Sequence, residues 1–116
     1  KGDKLSLKIY GESKVYLSEI DLDEFHSTIY GEAYLEVKQG RAGRQKVVSY
    51  GESEVNTLGV YNKTAKITAY GEGNIKLNVR DELKITAYGE ASIEYKGSPM
   101  VSHGIVLGEA SIHQIN

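Results

Sequence analysis

Six glutamates recur in one context: Glu12, Glu32, Glu52, Glu72, Glu90 and Glu109 each follow a glycine and precede Ser, Ala or Gly. In five of these places a tyrosine stands before the glycine, at Tyr10, Tyr30, Tyr50, Tyr70 and Tyr88, and Leu107 takes that place in the sixth. Four residues ahead of that position comes a basic residue in most copies: His26, Lys46, Lys66, Lys84 and His103. Carboxylates, phenols and ammonium groups in repeated supply suit recognition more readily than bond-breaking. Glu accepts protons from hydroxyls or shares a divalent cation with its neighbour, an aromatic ring offers flat contact to a sugar, and Lys serves acidic groups.

These residues act together only if the chain brings successive copies side by side, and the spacing says that it does. The motif glycines at 11, 31, 51, 71, 89 and 108 are 20, 20, 20, 18 and 19 residues apart, which marks an array of about six short units. Around each motif apolar residues alternate with period two, as in Ile67, Ala69, Ile75 and Leu77, or Ile85, Ala87, Ile93 and Tyr95. That is strand periodicity. The same alternation sets Gly11 and Ser13, with their equivalents, on the buried side and turns Tyr and Glu outward. A buried column of Val15, Leu35, Val55, Ile75, Ile93 and Ile112 follows. The rest of each unit is a polar return arc of variable length, pinned by Leu22, Val60, Val79 and Val101.

A repeat of about 20 residues with one long strand and a polar return, stacked on identical units, meets the needs of a parallel β-helix. A leucine-rich design lacks its Asn-punctuated leucine pattern here. An antiparallel sandwich or barrel would use tight hairpins, and neither Asn-Gly nor Asp-Gly occurs. The expected fold is all-β, a right-handed parallel β-helix (solenoid) of about six coils forming a single domain over residues 1–116. Each unit packs on its neighbours, so 116 residues suffice.

Composition narrows the function. A net charge of −2 argues against nucleic acid, which calls for a strongly basic field. The absence of cysteine removes disulfides, thiol catalysis and Cys-ligated metals. The longest uncharged stretch, residues 97–108, is far shorter than the roughly 20 apolar residues of a spanning helix, so no membrane span is expected. The chain starts Lys1-Gly2-Asp3 without Met or an apolar leader, which fits a processed or trimmed chain.

In-register stacking sets like residues about 4.8 Å apart in columns. Four outward columns result: the basic one; Lys8, Thr28, Val48, Thr68 and Thr86; the tyrosines; and the glutamates. Basic and acidic columns then lie roughly 20 Å apart along a straight strand, too far to pair. Neighbouring carboxylates at this spacing repel by about 1 kcal/mol even in bulk water, so the acidic column is either kept for a ligand or relieved by splaying and counterions. The tyrosines form either a sugar-facing platform or a ladder that stabilises the sheet. The Arg41-Ala42-Gly43-Arg44 arc is either an anion site or a plain surface turn.

Catalysis finds less support. His26 and His103 stand about four coils apart, near 19 Å, beyond hydrogen-bond reach. His113 falls in the column of Lys76 and Glu94, with no serine placed as its nucleophile. No cofactor and no tight metal site is expected, since a flat Glu column offers few of the backbone carbonyls calcium uses.

The repeated strand, the Gly-centred corner and the Val/Ile-x-Leu/Val that follows, closing with Tyr95-Lys96-Gly97-Ser98-Pro99 and Gly108-Glu109-Ala110-Ser111-Ile112, resemble the head GIN domain of autotransporter-type adhesins from Bacteroides-like bacteria. The resemblance spans essentially the whole chain. This chain departs from it by carrying Tyr and Glu where the family more often has Ser. The resemblance implies an exported right-handed parallel β-helix, periplasmic, anchored at the outer membrane or extracellular, with further coils ahead of Lys1.

The function expected from these readings is adhesin-like, non-catalytic binding of a glycan or cell-surface protein. The expected ligand-binding residues are Tyr30, Tyr50, Tyr70, Tyr88, Glu32, Glu52, Glu72, Glu90, Lys46, Lys66 and Lys84. The alternatives are a polysaccharide lyase or hydrolase on a β-helix scaffold, and a passive scaffold that self-associates into homo-oligomers through its open ends.

Overall fold

The alternating apolar residues do build strands, and those strands run further than the motif alone suggests. The computed structural model describes the backbone of residues 2–115, with side chains over residues 3–115 except at 103–107. In chain order the elements are β1 (Gly2–Tyr10), β2 (Lys14–Tyr30), β3 (Tyr34–Tyr50), β4 (Glu54–Tyr70), β5 (Asn74–Tyr88), β6 (Ser92–Lys96), β7 (Met100–Leu107) and β8 (Ser111–Gln114). Every pairing is parallel, in one continuous sheet ordered β1-β2-β3-β4-β5-β6-β8, with β7 on β5. This is a parallel β-helix of about five turns, against the six coils expected. The difference is one of counting, because six glycine corners enclose five complete circuits. Among the described residues no helix is long and apolar enough to cross a membrane.

Register follows the repeat. Val15, Leu35, Val55, Ile75, Ile93 and Ile112 pair in succession, as do the five motif tyrosines. Leu35, Val55, Ile75 and Ile93 are essentially sealed from solvent, with Val37, Leu77, Ile67, Ile85 and Phe25 beside them. Each row of like apolar side chains stacks on itself, so the core is one unbroken column parallel to the solenoid axis.

The corners correct one expectation. Ala33, Ser53, Gly73 and Ala91 are buried, but the motif glycines are not, lying at exposed or half-exposed corners. The reason is backbone conformation: Gly51 has φ of 96°, and the other five corner glycines share the left-handed region, which turns the chain out of strand alternation. The ladder nevertheless continues through the bend, with Gly31 N–H donating to the Tyr50 carbonyl and Gly51 N–H to that of Tyr70, both at 2.9 Å.

The return arcs are themselves largely extended, since β2 to β5 run unbroken through them. Ile20, Ala42, Val60 and Val79 continue the buried alternation there. Gly40 makes one arc corner: at φ of 130°, a Cβ on it would sit 1.9 Å from the Ile20 carbonyl oxygen, so only glycine fits. The shortening from 20 to 18 residues falls in an arc. Thr57 pairs with Leu77 and the next partners are Tyr61 and Asn78, leaving residues 58–60 bulged out of the ladder.

That irregularity sits over a buried polar cluster that sequence reading passed over. Gln45, wholly buried, occupies the column of Phe25, Ala65 and Leu83. Asn62 Nδ2 donates to Gln45 Oε1 at 2.7 Å and to the Asn78 carbonyl at 3.0 Å, while the Thr57 hydroxyl donates to the Lys76 carbonyl at 3.0 Å. These bonds tie three successive strands together across the bulge.

Candidate functional site

Outward positions of the motif strand assemble into a ribbed face. Tyr10, Tyr30, Tyr50, Tyr70 and Tyr88 lie ring on ring, with centroids 4.9–5.0 Å apart and planes within 2–4° of parallel. The spacing is that of the strands beneath them. Because each inner ring carries a neighbour on both faces, the ladder turns ring edges and hydroxyls to solvent. The flat contact expected of these tyrosines is therefore taken up within the ladder. Tyr10, at its end, is the most open at 61% exposed.

Two residues before the ladder, Lys8, Thr28, Val48, Thr68 and Thr86 pair in register. Beyond them His26, Lys46, Lys66 and Lys84 form the basic column, and the three lysines are exposed. The column ends differently from expectation. A one-residue register shift within β5–β7 sets Ser102 beside Lys84 and His103 beside Ile85, and the His103 side chain lies outside the described residues. His26 stands 4.0 Å from Glu24, and its pKa is held below the ordinary histidine value, chiefly by desolvation and then by Lys4, with Lys46 and Arg44 adding to it against Glu24.

The glutamates Glu32, Glu52, Glu72 and Glu90 follow the ladder around the corner and are all exposed. With Glu54 and Asn74, three of them, Glu52, Glu72 and Glu90, border a shallow cleft of about 310 Å³. A second cleft of about 460 Å³ adds Lys14, Tyr16 and Tyr34, where the Tyr34 hydroxyl donates to Glu36 at 2.8 Å and is made harder to ionise by that bond. Among the described residues no three His, Cys, Asp or Glu side chains come together as a metal site. His113 does pair in register with Glu94 and Lys76. The eleven residues singled out in sequence thus occupy three parallel stripes across one face and its corner.

A further concavity lies elsewhere, on the return arcs. A groove of about 770 Å³ crosses β2 to β5 and continues to Gly97 and Ser98. Its middle line is Leu22, Ala42, Asn62 and Val79, and one flank is Asp21, Arg41, Tyr61 and Asn78, each set paired in register. Arg41 meets Asp21 at 3.1 Å, and Arg44 meets Glu24 at 3.3 Å, so each arginine of the arc faces a carboxylate one coil below. The anion-binding reading of that arc loses its free charge. Tyr61 was legible in one respect, as a tyrosine in an arc and outside any Tyr-Gly-Glu motif.

A family model described as putative auto-transporter adhesin, head GIN domain, matches residues 1–99. Among solved structures, the chain is similar to a putative adhesin from Parabacteroides merdae ATCC 43184, with a TM-score of 0.90 at 20% identity, covering 100% of this chain and 49% of that one. It is also similar to a putative adhesin from Parabacteroides distasonis ATCC 8503, with a TM-score of 0.79 at 17% identity, covering 98% and 56%. A third, a putative lipid binding protein from Parabacteroides distasonis ATCC 8503, aligns with a TM-score of 0.70 at 22% identity, covering 99% and 51%. At these identities the likeness is one of fold. The chain spans about half the length of the structures it matches. No curated protein matches it significantly.

Proposed function

We propose that this chain, which belongs to the family of putative auto-transporter adhesins by its head GIN domain, is an adhesive binding module that meets its partner on the Tyr/Lys/Glu face. The domain type is that of surface or exported proteins; in our reading it works in the periplasm, at the outer membrane or outside the cell, as one repeat domain of a longer solenoid. The partner is a glycan or an envelope protein.

The observation that carries this reading is the tyrosine ladder. Four of its rings remain a third or more exposed, on a regular face. A row of phenol hydroxyls about 5 Å apart, with a lysine column on one side and a glutamate column on the other, offers donors, acceptors and both charges at a fixed period. Such a face suits a partner that is itself extended or repetitive, because many weak contacts then add in register. Ring edges with their hydroxyls make the contact, Lys46, Lys66 and Lys84 serve acidic groups, and Glu32, Glu52, Glu72 and Glu90 accept from hydroxyls or amines.

The test is binding of the wild-type chain and the Tyr50→Ala/Tyr70→Ala double variant to a glycan array and to blotted envelope proteins. Loss of signal in a variant that remains folded by circular dichroism is expected. Full retention would remove the ladder from the contact.

A further inference from the structure

The ladder rings cover one another, whereas Tyr61 pairs with no other ring among the described residues and is 70% exposed. It stands on the flank of the arc groove, between Arg41 and Asn78 in register. We propose that this groove is a second binding site, distinct from the Tyr/Lys/Glu face, which takes a chain of saccharide units lying along the solenoid axis with a sugar packed on the Tyr61 ring.

Three features of the groove select that occupant. The first is shape: the trough follows the stacking direction over four strands and holds about 770 Å³, room for an extended chain instead of a compact cofactor. The second is charge. Asp21 and Asp23 offset most of Arg41, Lys63 and Arg80, and Arg41 and Arg80 already meet Asp21 and Asp81. A lining whose ions are mostly matched at home carries little net field for a polyanion such as nucleic acid, yet keeps many planar donors and acceptors for hydroxyls.

The third is the floor. The middle line is apolar at Leu22, Ala42 and Val79, with Leu22 half-buried and the other two almost wholly covered, and between Ala42 and Val79 lies Asn62, 2% exposed. Its carboxamide nitrogen is fully engaged with Gln45 and the Asn78 carbonyl, while Oδ1 has no hydrogen-bond partner. A buried amide oxygen without a donor is unusual. A ligand hydroxyl would supply one once the floor parts enough to admit it, since the atom is sealed from solvent in the unbound fold.

The site is tested by titrating the isotope-labelled chain with oligosaccharides of glucose, xylose, mannose and galacturonic acid while following backbone amide shifts. At least one neutral oligosaccharide should move the amides of Ala42, Asn62, Lys63 and Asn78. Tyr61→Ala should weaken that binding at least tenfold with an unchanged urea midpoint, and Tyr61→Phe, which keeps the ring, should retain most of it. Shifts confined to the ladder tyrosines Tyr30, Tyr50, Tyr70 and Tyr88, wild-type affinity in Tyr61→Ala, or no response to any oligosaccharide would overturn the proposal. So would perturbation of the same amides by dodecanoate but by no sugar, which would make the groove an acyl-chain cleft. The ladder face is judged separately, by its own Tyr50→Ala/Tyr70→Ala variant, which leaves Tyr61 intact.

Discussion

Tyr50 and Tyr70 lie 5.0 Å apart with ring planes 3° from parallel, and each has a further tyrosine on its other face. The ladder is thus a structural element as well as a surface. Stacked aromatic pairs contribute about 0.5–1.5 kcal/mol beyond their buried area. Tyr50→Ala removes two stacks and should cost about 1–3 kcal/mol, read from urea unfolding. Tyr10→Ala, which removes one at an open end, should cost about half as much.

Gln45 and Asn62 share the shortest side-chain hydrogen bond of the buried cluster, 2.7 Å from Nδ2 to Oε1. Removing either leaves the other with a buried polar group short of a partner, at about 1–3 kcal/mol. Gln45→Ala and Asn62→Ala should therefore be non-additive. A double-mutant cycle should return a coupling of about 0.5–3 kcal/mol, whereas a cycle between Gln45→Ala and the remote Lys8→Ala should return nearly none.

The corner glutamates put like charges one strand apart on the exposed corner. Coulomb repulsion at such spacing in water is about 1 kcal/mol, less after splaying and counterion uptake. Glu52→Gln should accordingly stabilise the fold by a few tenths to about 1 kcal/mol at low salt. The gain should vanish near 1 M salt, where the Debye length is about 3 Å. Unfolding midpoints at the two ionic strengths check it.

His26 should make the fold less stable in mild acid. Its folded pKa lies below the ordinary value of 6.5, with desolvation and Lys4 as the leading causes. Between the lowered folded value and the unfolded one, the unfolded chain binds more protons, so stability rises with pH across that window and is lost as pH falls below 6.5. Above 6.5 the effect is absent. His26→Gln should flatten the slope of unfolding free energy against pH in this window and leave it unchanged at pH 8.

Much of the architecture was legible because a repeat copies its information. One alternating segment such as Ile67 to Leu77 states the inward and outward positions, and the intervals of 18–20 residues state that the copies stack, so the core column and all five ladder tyrosines could be placed before any coordinates. Alternation misled at the glycine corners, where a positive φ resets the phase that a period-two count carries forward. It also misplaced His103 by one residue, because the register shift within β5–β7 is a local bulge with no motif of its own.

The sequence by itself determined a stacked β-helix and the residue type in each stripe, since strand periodicity and repeat spacing are local properties of the chain. Only the tertiary structure decided how those stripes meet solvent. Strand spacing presses the tyrosine rings face to face, and the meeting of four successive arcs hollows a groove around Tyr61. It also buries Gln45 and Asn62 together, because two residues 17 apart in the chain become partners when one coil closes upon the next.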